Sequence, residues 1–102
     1  MIATHYLACF FAGAFAANVV PHFVNGIAGD PFPTPFANPP GKGLSSPTVN
    51  VAWSLVNMLI AFFLFRSAHL SMDEPVSLAV FFAGIAALSL PLSKRFQHKH
   101  AR

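Results

Sequence analysis

The sequence predicts an all-α fold: a three-helix transmembrane bundle with a long Pro/Gly-rich loop between helices 1 and 2. Three observations carry this. Hydrophobic residues make up 55% of the 102 residues and charged residues 9%, whereas a soluble domain usually carries about 25% charged residues. The apolar residues fall into three runs, at about 2–24, 49–70 and 76–92, each near the roughly 17–25 residues that a spanning helix needs. The stretch between the first two runs, 26–48, holds six of the nine prolines and four of the six glycines. The chain is read as one membrane domain.

Helix 1 covers about 2–24. Ala14-Phe15-Ala16 resembles a small-x-small cleavage site, but residues 1–6 contain no Lys or Arg. A signal peptide needs a basic leading region, so a retained helix is expected. Helix 2 opens at Ser46-Pro47, an N-cap followed by proline at the first helical position. Glu74-Pro75 offers the same start to helix 3, while Ser71 and Glu74 have capping-box spacing and offer another. Helix 3 is expected to end at Pro91, with a basic tail over 93–102.

That tail carries Lys94, Arg95, Lys99 and Arg102, with His98 and His100 among them. Basic residues mark the cytoplasmic side of a membrane protein. The C-terminus is therefore assigned inside and, after three crossings, the N-terminus outside. Loop 26–48 then lies inside with Lys42, and the short 66–75 connector lies outside, where Arg66 is offset by Asp73 and Glu74. The expected location is the bacterial inner membrane, and the expected partner of the tail is the lipid bilayer. No aromatic-basic interleaving or binding module supports nucleic acid.

Asn18, His22 and Asn25 lie on one face at the loop end of helix 1, at i, i+4, i+7. Asn50, Ser54 and Asn57 repeat that spacing at the loop end of helix 2, with Trp53 beside them. One antiparallel register lets Asn18 face Asn57, His22 face Ser54 or Trp53, and Asn25 face Asn50. Polar groups in hydrocarbon must find partners, so these stripes fasten the hairpin. Their clustering at one end also marks a candidate ligand or partner site, because intramembrane polar residues are often functional. A second set of faces is small: Ala8, Ala12 and Ala16 on helix 1, and Ala79, Ala83 and Ala87 on helix 3, separated by 71 residues throughout. Such faces let backbones approach closely. They are expected to join helices 1 and 3, or to serve a homo-oligomer or a larger membrane complex.

Loop 26–48 contains Pro31-Phe32-Pro33-Thr34-Pro35-Phe36, which favours an extended path. Phe32 and Phe36 are too apolar for a solvated linker. An ordered lid that folds back over the helix ends is expected, with both rings in the site. A single cysteine, Cys9, excludes an internal disulfide and a Cys-based metal site. No Ser-His-Asp pattern is present. With three acidic residues in the chain, and Asp30 alone near the polar stripes, a two-carboxylate mechanism is excluded there. PPGKG lacks the spacing of a phosphate loop. No catalytic residue, metal or cofactor is expected.

The run Pro21-His22-Phe23-Val24-Asn25-Gly26, then PFPTPFANPPGKGLSSP, then Asn50-Val51-Ala52-Trp53, resembles small bacterial integral membrane proteins of unassigned role. That resemblance implies a membrane location and no activity. In topology alone the chain resembles class I holins, with three helices, N-out, C-in and a basic tail; holins, however, have short connectors. The expected function is that of a non-enzymatic inner-membrane protein with a cytoplasm-side polar site under the loop. The alternatives are a holin-like pore former, or a small transport or proton-relay unit centred on His22.

Overall fold

The computed structural model describes residues 2–69 and 74–100. It contains three helices: α1 (Ile2–Ile27), α2 (Pro47–Ser67) and α3 (Pro75–His100). Among the described residues there is no strand, and one isolated antiparallel bridge joins Phe32 to Ser45. Each helix is long and apolar enough to cross a membrane, over Ala3–Ile27, Pro47–Ser67 and Pro75–Phe96. The chain thus has the make-up of a multi-pass membrane protein.

The helix ends correct several expectations. Helix α1 passes through Pro21 and ends at Ile27, not Val24. Proline removes one N–H, but the turns on either side remain bonded, and apolar surroundings offer the backbone no better partner than a continuing helix. The stop is made further on. Gly29 takes a left-handed φ of 79°, Gly29 N–H donates to Gly26 O at 3.1 Å, and Asp30 N–H donates to Asn25 O at 2.8 Å. Those two bonds form a Schellman cap.

Helix α2 begins two residues before Val49. Ser46 Oγ accepts the Val49 N–H at 3.1 Å, so Ser46 is the N-cap and Pro47 the first helical residue. The helix stops at Ser67, short of the expected Leu70, because His69 turns left-handed at φ 52° and its N–H donates back to Arg66 O at 3.0 Å. Leu70 itself, and the alternative helix 3 start at Ser71, lie outside the described residues. Helix α3 starts at Pro75, with Glu74 O accepting the Leu78 N–H at 3.1 Å. It does not end near Pro91 as expected but continues to His100. Ser93 Oγ donates to Leu90 O at 2.9 Å in this stretch.

The chain divides into two compact units: Met1–Ala17 with Ile60–Arg102, and Asn18–Leu59. In the first, α1 and α3 run parallel with the expected offset of 71 residues, but other residues make the contact. A Cβ on Gly13 would meet the Phe81 carbonyl, and one on Gly84 would meet the Phe10 carbonyl. Ala79, Ala83 and Ala87 are exposed, and Ala8 and Ala16 are half-buried; of the six alanines only Ala12 is buried. The physical reason is distance: backbone-to-backbone contact leaves no room for a Cβ, so the glycines set the contact face and rotate the α3 alanines away from it. His5 Nε2 hydrogen-bonds Ser77 Oγ at 2.7 Å across the same contact. Ser77 and Cys9 are fully buried, and Phe65 of α2 packs edge-on to Phe81 at 5.8 Å.

Candidate functional site

The second unit, Asn18–Leu59, holds the nine residues singled out above. Here α1 and α2 are antiparallel and close: a Cβ on Gly26 would strike Val51 and the Pro47 carbonyl. Asn18 Nδ2 donates to Asn57 Oδ1 at 3.1 Å, the pair expected from the register. Asn57 Nδ2 turns to Trp53 O on its own helix at 2.8 Å.

The other two pairs differ from expectation. His22 meets Asn50, not Ser54 or Trp53; its Nδ1 lies 2.7 Å from Asn50 Oδ1. A carboxamide oxygen only accepts, so Nδ1 carries the proton. Asn25 does not reach Asn50 and donates to Pro21 O at 2.7 Å, because Gly26 occupies the closest approach to α2 and puts Asn25 at its side. Ser54 is fully buried and donates to Val51 O at 2.6 Å. Ser54 and Asn25 thus return a hydrogen bond to their own helices and make none to the facing helix.

Segment 28–46 has its own hydrogen-bonded structure. Phe32 and Ser45 exchange both backbone bonds, at 3.2 and 3.0 Å. Thr34 is buried; its carbonyl accepts the N–H groups of Ala37 and Gly41, at 3.1 and 2.8 Å, and its hydroxyl bonds Ser45 Oγ at 2.5 Å. The Phe36 N–H donates to the same Thr34 hydroxyl at 3.1 Å. Pro39 O accepts from Lys42 and Gly43 at 3.1 and 2.8 Å. Gly41 stands at φ 72°, and Gly43 packs so closely on the Asn38 backbone that a Cβ would not fit.

Asn50 joins this segment to the helices. Its side chain is fully buried. Besides accepting from His22, its Nδ2 donates to Phe32 O at 3.0 Å, Ser45 O at 3.2 Å and Ser46 O at 3.0 Å. Each of these carbonyls also accepts a backbone N–H, from Ser45, Phe32 and Asn50 respectively, so the buried amide from α2 is a second donor that ties the two ends of the segment to the helix. Phe32 closes over the pair, edge-on to the His22 ring at 5.4 Å, and Phe36 lies edge-on to Trp53 at 5.0 Å. Phe32 is buried, whereas Phe36 is 66% exposed.

Sequence reasoning missed Thr34 and Ser45, which tie the segment to itself. A threonine between two prolines was the available signal, since it holds the hydroxyl in an N–H-poor run. It also missed the His5–Ser77 pair of the first unit, whose members are 72 positions apart. Among the described residues, no three His, Cys, Asp or Glu side chains are grouped to hold a metal ion. No known protein family, curated protein or solved structure matches this chain.

Proposed function

We propose that this chain is a non-enzymatic three-pass protein of the bacterial inner membrane, a three-helix bundle with the N-terminus outside and the C-terminus inside. Segment 28–46 acts as an ordered lid over the polar end of the α1–α2 hairpin and forms a cytoplasm-side ligand or partner site. The observation that carries this reading is Asn50: one buried side chain bonds His22 and three carbonyls of residues 32, 45 and 46. A passive linker would not need a buried polar residue at its root. The interior polar groups mostly satisfy one another, so the binding surface is the lid's outer face, where Phe36 and Leu44 are 66% and 59% exposed.

Two alternatives have less support. A proton relay needs an onward acceptor, and the proton on His22 Nδ1 ends on a carboxamide that does not pass it on. A holin-like role gives no task to the bonds within segment 28–46.

Lys42 is the only lysine of the lid and is exposed. A membrane-impermeant amine reagent is expected to modify it in inverted inner-membrane vesicles and to leave it unmodified in spheroplasts. Labelling of Lys42 from the outside would overturn the orientation and with it the cytoplasmic site.

A further inference from the structure

Trp53 is the only tryptophan of the chain. Its Nε1 is, among the described residues, the one buried side-chain polar atom without a hydrogen-bond partner. The other buried polar side chains of this unit, His22, Thr34, Asn50, Ser54 and Asn57, are all bonded. A buried donor left unpaired is costly and calls for a partner.

The aromatic neighbour of this indole is Phe36, edge-on at 5.0 Å and 88°. That ring is 66% exposed, so little packing holds it. Its backbone N–H is tied to Thr34 Oγ1, which lets the side chain turn while the chain stays in place. Val49 and Val56, one turn to either side of Trp53 on the same face of α2, are 39% and 45% exposed. An apolar track thus runs past the donor.

Depth selects the ligand chemistry. Helix α2 has 21 residues, about the length that crosses the ~30 Å hydrocarbon core. Trp53 lies six residues beyond Pro47, about 9 Å along the axis at 1.5 Å per residue. On the membrane placement proposed above, that is below the headgroups, where a phosphate or carboxylate is costly to bring. An uncharged carbonyl oxygen on an apolar body meets both the donor and the track.

We infer that Trp53 Nε1 binds the ester carbonyl of a neutral acyl lipid, admitted when Phe36 turns aside, with the acyl chain along Val49 and Val56. This rests on the membrane placement proposed above and adds a site beneath Phe36, apart from the lid's outer face.

The test uses full-length ¹⁵N-labelled protein in alkyl maltoside micelles, a detergent without carbonyls. Its single indole N–H resonance is followed on titration with 1,2-dioctanoylglycerol and, separately, with the carbonyl-free 1,2-di-O-octylglycerol. A saturable downfield shift is expected with the ester and none with the ether. Phe36→Ala is expected to bind the ester roughly 2- to 12-fold more tightly, because an edge-to-face aromatic pair no longer competes. Equal shifts with both lipids, or none with either, would overturn the inference. So would an upfield indole resonance that moves in Phe36→Ala without lipid and does not titrate, since the N–H then donates to the Phe36 ring. Quenching of Trp53 fluorescence by lipids brominated along their chains tests the placement separately. An unquenched Trp53 removes the membrane placement itself; a quenched Trp53 with an ester-blind indole removes only the lipid.

Discussion

Replacing Asn50 with leucine removes the amide that joins lid to hairpin and keeps a branched side chain of the same number of heavy atoms. What is lost is one hydrogen bond accepted from His22 at 2.7 Å and three carbonyl contacts, at 3.0, 3.2 and 3.0 Å, shared between the two Nδ2 hydrogens. They are not equal in cost. Phe32 O keeps the Ser45 N–H, Ser45 O keeps the Phe32 N–H, and Ser46 O keeps the Asn50 N–H. Each carbonyl retains one partner, so these losses lie at the low end, about 0.5 kcal/mol apiece. His22 Nδ1 is different, because it becomes a buried donor without an acceptor, at about 1–3 kcal/mol. The expected total is about 3 kcal/mol, or roughly 100-fold more open lid at 1.4 kcal/mol per decade. Trypsin cleavage after Lys42 in micelles reads this population, provided the lid recloses faster than it is cut. Although the Lys42 side chain is exposed, its own N–H and that of Gly43 are bonded to Pro39 O, so cleavage requires opening. The double variant His22→Leu/Asn50→Leu should cost less than the two single changes together, because the orphaned donor has gone. An Asn50→Leu protein cut within twofold of the wild-type rate would refute the reasoning.

Gly84→Leu sets a side chain against the Phe10 carbonyl and should cost at least about 1–3 kcal/mol in a folding titration in mixed micelles. Ala83→Leu, one residue away and exposed, should leave that titration unchanged; if the α3 alanines serve a second copy, it should lower the oligomeric state instead. An Asn18→Leu, Asn57→Leu double-mutant cycle should give a coupling of about 0.6–1.7 kcal/mol, as interhelical hydrogen bonds in membranes do; zero coupling would remove the 3.1 Å pair from the account.

Much of the fold is legible in the sequence because bilayer physics demands long apolar runs, and Ser46-Pro47 and Glu74-Pro75 mark helix starts by their missing N–H groups. Asn18 and Asn57 are legible for a related reason: a carboxamide in apolar surroundings seeks another. Pro91 misled because a proline removes only one hydrogen bond from a helix and need not end it. The alanine faces misled because side-chain size was weighed without distance; at the α1–α3 contact only the glycines are small enough. Asn25 was assigned to Asn50 by spacing alone, while Gly26 beside it sets the actual approach. The tie between Asn50 and the lid carbonyls spans as many as 18 positions and has no periodicity.

The central claim is that segment 28–46 is fixed to the α1–α2 hairpin through Asn50. Amide hydrogen exchange of the full chain in lipid bicelles tests it most directly. The N–H groups of Phe32, Gly41, Gly43 and Ser45, all bonded within the segment, should exchange slowly together and become fast together in Asn50→Leu. Exchange of all four at the unprotected rate in the wild-type protein would contradict the account.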